Sequence, residues 1–283
     1  MAVAERAAAV YAGNGKLAAL AAAGSVGAGL ADRFSDLELD CYWSSPPGDA
    51  DRTGPIGALG GELTSWWDYD EADREWAEDY LLEGLGVTVS NFTTATIEQF
   101  LEDVVQRADT DPVKHMRLAA LQRSRPLLGG DLMASWRARA DRFPGELARA
   151  LVQQALAGEV LAGWSARDAL AARGDDLAAR DVLIRAGRAA VQVILAVNRV
   201  YLPHRQLKWQ RHLISGLAVV PDRLTERLEA MTARPPAQAF AAAETLLEDT
   251  VLLAEERTGA DLSAFRQALA QRRRPLDPPS PGQ

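Results

Sequence analysis

Three carboxylates, Asp36, Glu38 and Asp40, alternate with Leu37, Leu39 and Cys41 in the stretch FSDLELDCYW, and a Gly24-Ser25 pair stands ahead of them. Carboxylates are rarely buried unless something pairs with them, so acids at this spacing mark a working surface rather than a packed core. A period of two is that of a strand with one packed and one polar face, which puts all three acids on the same face. Two carboxylates so placed can hold Mg2+ against phosphate oxygens. Gly24 lets the backbone approach a phosphate, and the amides and hydroxyl of Ser25 can donate to it.

These residues need elements to position them. Residues 3–23 are Ala-rich and interrupted at GNGK (13–16), which predicts a helix, a turn and a segment leading into a first strand near Gly24. The run SSPPGDADRTGPIGALGG (44–61) is dense in Pro and Gly and predicts a loop. GVTVSNF (86–92) predicts a second strand, TATIEQFLEDVVQRA (94–108) a helix opened by Thr, and RPLLGGD (125–131) a last short strand. From Phe143 onward, apolar residues recur at three- and four-residue spacing in GELARALVQQALAGEVLAGW, AARDVLIRAGRAAVQVILAVNRVYL, DRLTERLEAMTA and AQAFAAAETLLEDTVLLAEERTG. This predicts a mixed-sheet core over 1–142, a helical bundle over 143–270 and a Pro-rich disordered tail over 271–283.

The composition bounds the chemistry. With 283 residues, 48% of them hydrophobic, the chain can bury a sizeable core and is long enough for two domains. A net charge of -8 argues against a dedicated nucleic-acid binder and suits a cationic substrate better. The single cysteine, Cys41, forms no internal disulfide, and neither a secretory signal nor a membrane-spanning apolar run is present, so a cytoplasmic protein is expected.

A strand, a Gly-Ser turn into a helix and a second strand carrying Asp-x-Glu resemble the nucleotidyltransferase superfamily, which includes DNA polymerase beta and the antibiotic nucleotidyltransferases. The residues in question are Ala23, Gly24 and Ser25, then Ser35, Asp36, Leu37, Glu38 and Leu39, with Gly29 completing a Gly-Ser-x-x-x-Gly spacing. Further segments, GGELTSWWDYDEADREWAEDYLLEGLGVTVSNFTTATIEQFLEDVV, RPLLGGDLMASWRARADRFPGELARAL and ILAVNRVYLPHRQLKW, resemble a bacterial family that joins this core to a helical domain of unassigned function. The resemblance implies an α+β fold, a mixed-sheet nucleotidyltransferase core followed by an all-helical bundle. It implies transfer of NMP, foremost AMP from ATP, to a hydroxyl of a small and cationic molecule, aminoglycoside- or lincosamide-like. Asp36 and Glu38 would be catalytic metal ligands for Mg2+, Gly24, Ser25 and Ser35 nucleotide-binding, and Lys208 a group for the triphosphate.

The superfamily usually supplies a third carboxylate from a neighbouring strand, where this sequence has Thr88 and Ser90. Asp40, Glu62 or Glu83 substitutes for it, or two acids suffice, or the chain is a regulatory protein that binds nucleotide without turnover. Asp40 stands as the catalytic candidate.

The run SWWDYDEADREWAEDY is open to two readings: aromatic faces and carboxylates lining an acceptor pocket, or an amphipathic helix whose aromatics pack on the core. Asn198 and Tyr201 are expected near Lys208, and His115, His204 and His212 lack metal-ligand spacing. Arg199 and His204 resemble the Arg-His signature of helical ribonuclease toxins, against which stand the intervening Pro203 and the acidic chain.

Overall fold

The computed structural model describes residues 1–273. The chain forms two compact units, Met1–Phe143 and a second beginning at Pro144. The first unit runs α1 (Ala2–Tyr11), β1 (Leu17–Ala22), α2 (Gly24–Gly27), β2 (Leu37–Trp43), α3 (Asp49–Ala58), β3 (Glu62–Asp70), β4 (Glu75–Leu82), β5 (Leu85–Thr93), α4 (Thr94–Leu101) with a π-helical turn to Gln106, α5 (Pro112–Arg123), β6 (Arg125–Leu128) and α6 (Gly130–Ala140). Its six strands form one sheet in the order β3-β4-β5-β2-β1-β6. Only the β2 and β5 pair is parallel, so the sheet is mixed and the fold is α+β.

One face of the sheet is closed by an apolar cluster that includes Leu37, Leu39, Cys41, Val87, Val89 and Tyr80 together with Ala4, Ala7 and Tyr11 of α1 and Ile56 of α3. The alternate residues of β2 and β5 therefore point to the other face. There Tyr42 stacks on Phe92 at 6.0 Å between ring centroids and meets Trp136 of α6 edge-on at 5.3 Å.

Two local expectations are corrected. The segment expected as a loop over 44–61 contains α3, in spite of Pro55. Asp51 accepts hydrogen bonds from the Gly48 amide, Asn14 and Lys16, and these hold its carboxyl down at about 2 and fasten the first turn. Buried Arg52 and Ile56 then anchor the helix through tertiary contacts that local propensity does not report. The aromatic and acidic run 65–80 is a β-hairpin rather than an amphipathic helix: β3 and β4 pair antiparallel, and Glu78 on the inner face binds the Arg52 guanidinium, which stacks 3.5 Å over Trp66.

The second unit is helical: α7 (Gly145–Ala155), α8 (Arg167–Arg173), α9 (Asp176–Val197), α10 (Gln210–Ser215), α11 (Leu224–Ala233), α12 (Pro236–Thr258) and α13 (Ser263–Ala270), with short 3-10 turns at Gly158–Leu161 and Trp164–Ala166. Its core gathers Val182, Ala186, Val193 and Ile194 of α9 with Ala243, Leu246 and Val251 of α12. The helix predicted to run through 202 stops at Val197, so Arg199 and His204 lie beyond α9 and share no bundle helix. Of the tail expected over 271–283, residues 274–283 lie outside the described residues. Among the described residues no helix is long and apolar enough to cross a membrane.

Candidate functional site

The site is built where β1 turns into α2 against β2. The Ala23 amide donates to the Glu38 carbonyl at 2.8 Å, which fixes the turn to the strand. Gly24 has φ +54°, and a Cβ on it would fall 2.4 Å from Glu38 Cδ and 2.5 Å from each carboxylate oxygen. The glycine thus clears the space the Glu38 carboxylate occupies, a steric requirement beyond the left-handed backbone. A Cβ on Gly27 would fall 2.2 Å from the Ala22 carbonyl oxygen, so the turn also packs tightly on the strand it leaves. Ser25, half-buried, is the second residue of this turn.

Asp36 is exposed, one residue ahead of β2, with its Cβ 3.7 Å from where a Cβ on Gly86 would sit. Ser35 uses its hydroxyl locally, accepting from the Asp32 amide at 3.0 Å and donating to the Asp32 carboxylate at 3.1 Å. The structure therefore brings Gly24, Ser25, Asp36 and Glu38 to one end of the sheet and ties Ser35 into the loop before it.

Register extends the site across the sheet. Glu38 lies beside Thr88, Thr88 opposite Asp79, and Asp79 opposite Ser65. The next row on that face is Asp40, Ser90, Ala77 and Trp67. Residues directly across a ladder share a face, so Glu38, Thr88, Asp79 and Trp67 all look to the side opposite the α1 core.

Asp40 differs sharply from Glu38. It is buried, it accepts a hydrogen bond from the Tyr42 hydroxyl at 3.3 Å, and burial pushes its carboxyl up against the pull of Arg117 and that hydrogen bond. Arg117 of α5 instead contacts Glu75 at 2.7 Å and lies 4.8 Å from the centre of the Phe92 ring. Burial outweighs Arg117 at Glu75 as well, and its carboxyl titrates at about 7. Glu62 is exposed at the start of edge strand β3, and Glu83, in the β4–β5 turn, pairs with Arg6 at 2.8 Å.

An acid that sequence reasoning missed stands next to the expected place. Asp79 of β4 accepts a hydrogen bond from the Thr88 hydroxyl at 2.7 Å, so a carboxylate reaches the Thr88 position from the adjacent strand. The signal was in LLEGLG. Glu83 and Gly84 both have positive φ, 53° and 81°, the hallmark of a two-residue hairpin turn, and counting outward from Leu82 opposite Leu85 places Asp79 opposite Thr88.

Lys208 belongs to the second unit and is exposed in the segment between α9 and α10. Asn198 serves as a clamp there, donating to the Ile194 and Val219 carbonyls at 2.8 and 2.6 Å and accepting from the Val219 amide at 2.8 Å, and Tyr201 is buried. His115 is buried with Nε2 2.8 Å from the Asp109 carbonyl, a packing role.

Among the described residues no group of three or more His, Cys, Asp or Glu side chains is disposed to hold a metal ion. The exposed pair Asp36 and Glu38 is nonetheless a hard-oxygen donor set of the size that suits Mg2+, which keeps several waters and takes one or two carboxylates along with substrate phosphates.

A family described as a domain of unknown function, DUF4037, matches residues 112–210, a span that begins after the site and covers none of its acids. No curated protein matches the chain. Among solved structures, a nucleotidyltransferase-like protein from Exiguobacterium sibiricum 255-15 is similar over 95% of this chain and 79% of its own, at 13% identity and a TM-score of 0.39.

Proposed function

We propose that this chain is a nucleotidyltransferase that moves NMP, foremost AMP from ATP, onto a hydroxyl of a small aminoglycoside- or lincosamide-like molecule. The observation that carries the reading is the pairing of Gly24 with Glu38: a glycine-led turn bearing Ser25 sits against an outward carboxylate, with Asp36 two residues before it. Asp36 and Glu38 would hold Mg2+, which when bound neutralises charge that builds on the phosphates during in-line displacement. Gly24 and Ser25 present backbone amides and a hydroxyl to the phosphates. The acceptor oxygen bonds to the α-phosphorus as the bond to pyrophosphate breaks, and the hydroxyl proton leaves to a carboxylate or to water.

A second reading, a nucleotide-binding regulatory protein without turnover, draws on Asp40: buried and bonded to Tyr42, it leaves β2 with one outward carboxylate, Glu38, and Asp36 just ahead of it. One experiment separates the two. The protein is incubated with each NTP and Mg2+ over a panel of hydroxylated amines, and the products are weighed for an added nucleotide. Transfer that vanishes in Asp36→Asn and Glu38→Gln establishes the first reading. Nucleotide binding without product in the wild type establishes the second, and failure of the wild type to bind any NTP with Mg2+ removes both.

A further inference from the structure

The segment that joins α9 to α10 in the second unit is basic in an acidic chain. Residues 182–221 contain Arg185, Arg188, Arg199, Arg205, Lys208 and Arg211 and no Asp or Glu, although the whole chain has a net charge of -8. Net charge sums over the entire surface, whereas a ligand meets one face of it, so the acidic total does not describe this segment. Arg199, Arg205 and Lys208 are exposed, and among the described residues none of them forms an ion pair. The acids that follow on α11 are matched elsewhere, Glu229 with Arg211 at 2.5 Å and Glu226 with Arg223 at 3.8 Å.

The backbone holds these groups in a defined and costly shape. Arg199, Leu207 and Trp209 have φ of 55°, 54° and 57°, a left-handed conformation in which a bulky side chain is an outlier. Buried Tyr201 and Leu207 and the clamp of Asn198 on Val219 keep the segment there. Burial, and after it the Lys208 charge, hold the His204 imidazole below its ordinary value, and its Nδ1 accepts from the Gln206 amide at 2.9 Å. Trp209, next to Lys208 in the chain, is left 44% exposed. Strained backbone persists only where its surroundings impose it, and it clusters at binding sites. The family match, which leaves out the acids of the first unit, runs to residue 210 and includes this segment.

Charge and stacking select an occupant. Unpaired guanidinium and ammonium groups attract phosphates, and a half-exposed indole offers its face to a base that has left its stack. A duplex keeps its bases stacked and is read in its groove by a regular helix or ribbon, which this irregular segment is not. An anionic membrane calls for a run of exposed apolar side chains beside the basic ones, and here Tyr201 and Leu207 are buried. We infer that residues 199–209 bind single-stranded nucleic acid, with Arg199, Arg205 and Lys208 on its phosphates and a base stacked on Trp209. The inference is independent of the nucleotidyltransferase reading and uses none of the acids of the first unit.

Fluorescence anisotropy of the full chain with labelled oligouridylate and oligothymidylate of about twelve nucleotides, set against a hairpin duplex, provides the test. At least one single strand should bind, about tenfold or more tightly than the duplex, and the tighter of the two assigns RNA or DNA. Affinity should fall with salt at a logarithmic slope of about -2, from three phosphates at about 0.7 each. Arg205→Gln should reduce that slope by about 0.7. Trp209→Ala should weaken binding about tenfold with the slope unchanged, and Trp209→Phe should recover most of the loss. No binding of either single strand, equal binding of the duplex, equal retention on phosphatidylserine vesicles, or displacement by ATP at equal phosphate concentration overturns the assignment. So does wild-type affinity in Trp209→Ala or a wild-type slope in Arg205→Gln. Should Trp209→Ala not fold, Arg205→Gln and its slope decide alone.

Discussion

Gly24 and the Glu38 carboxylate occupy one volume in turn: a Cβ on the glycine would lie within 2.5 Å of both carboxylate oxygens. The backbone there, at φ +54°, is also one that L side chains adopt at a cost of about 1–2 kcal/mol. Gly24→Ala should therefore displace Glu38 and lower Mg2+-dependent nucleotide binding by about tenfold or more. Gly29→Ala is the control, since Gly29 has φ +71° with nothing within 4 Å of its Cβ position. Calorimetry on both proteins checks this: equal losses of binding would mean that strain, not the clash with Glu38, is responsible.

The buried acids predict a pH dependence with a defined sign. Burial raises the Glu75 carboxyl from 4.5 to about 7, so between those values the folded chain holds a proton the unfolded chain has released. This contribution to stability is fully present below about pH 4.5 and is lost as pH rises through about 7. Urea unfolding of the wild type should show this fall, and Glu75→Gln should flatten it, becoming the more stable protein at pH 8 by about 1–3 kcal/mol. A variant whose profile still parallels the wild type would place the titration elsewhere.

Asp40 sits in the same buried group, two residues from Glu38 but bonded to Tyr42. Removal of the Tyr42 hydroxyl leaves that carboxyl without its donor, so Tyr42→Phe should cost about 1–3 kcal/mol of stability while nucleotide affinity holds. Denaturant titration and nucleotide calorimetry read the two quantities separately, and a loss of affinity with stability intact would make Asp40 part of the site.

Thr88 donates to Asp79, so an added acid at this position meets a carboxylate already there. Thr88→Asp should lower stability by about 1 kcal/mol without metal through like-charge repulsion. Mg2+ should then raise its melting temperature more than it raises that of the wild type, since two acids beside Glu38 bind a divalent ion better than one. Equal responses to Mg2+ would mean that the Thr88 row does not face the ion.

On the opposite face, Arg52 ties α3 to the hairpin: Nε donates to Glu78 at 2.8 Å and one terminal nitrogen to the carbonyls of Trp67 and Ala77 at 2.7 and 2.9 Å. Arg52→Ala should cost about 3–5 kcal/mol by leaving the Glu78 charge buried and unpaired. Denaturant unfolding measures it, and a loss below about 1 kcal/mol would mean water reaches Glu78 in the variant.

Local chemistry made part of this legible from residues alone. The alternation in LELDCYW gave a strand with Glu38 outward, GVTVSNF a second strand, and TATIEQF a helix opened by Thr, because period and start signals are read from neighbours in the chain; the structure puts the cap one residue earlier, on the Thr93 side chain. The sequence by itself also determined that a glycine and a serine precede two acids by a fixed interval. Tertiary structure decided which acids face outward and which are enclosed. Asp36, Glu38 and Asp40 share one pattern, yet Asp40 is buried and bonded to Tyr42, whose ring in turn packs on Phe92 and on Trp136 of α6, and no period reports where a covering helix begins. The same holds for α3, which forms in a Pro- and Gly-rich segment because Asp51 and Arg52 find partners distant in sequence, and for Asp79, which reaches Thr88 only once a hairpin sets the register. Spacing along the chain fixes which side chains are available; pairing and burial, being long-range contacts, fix what each of them faces.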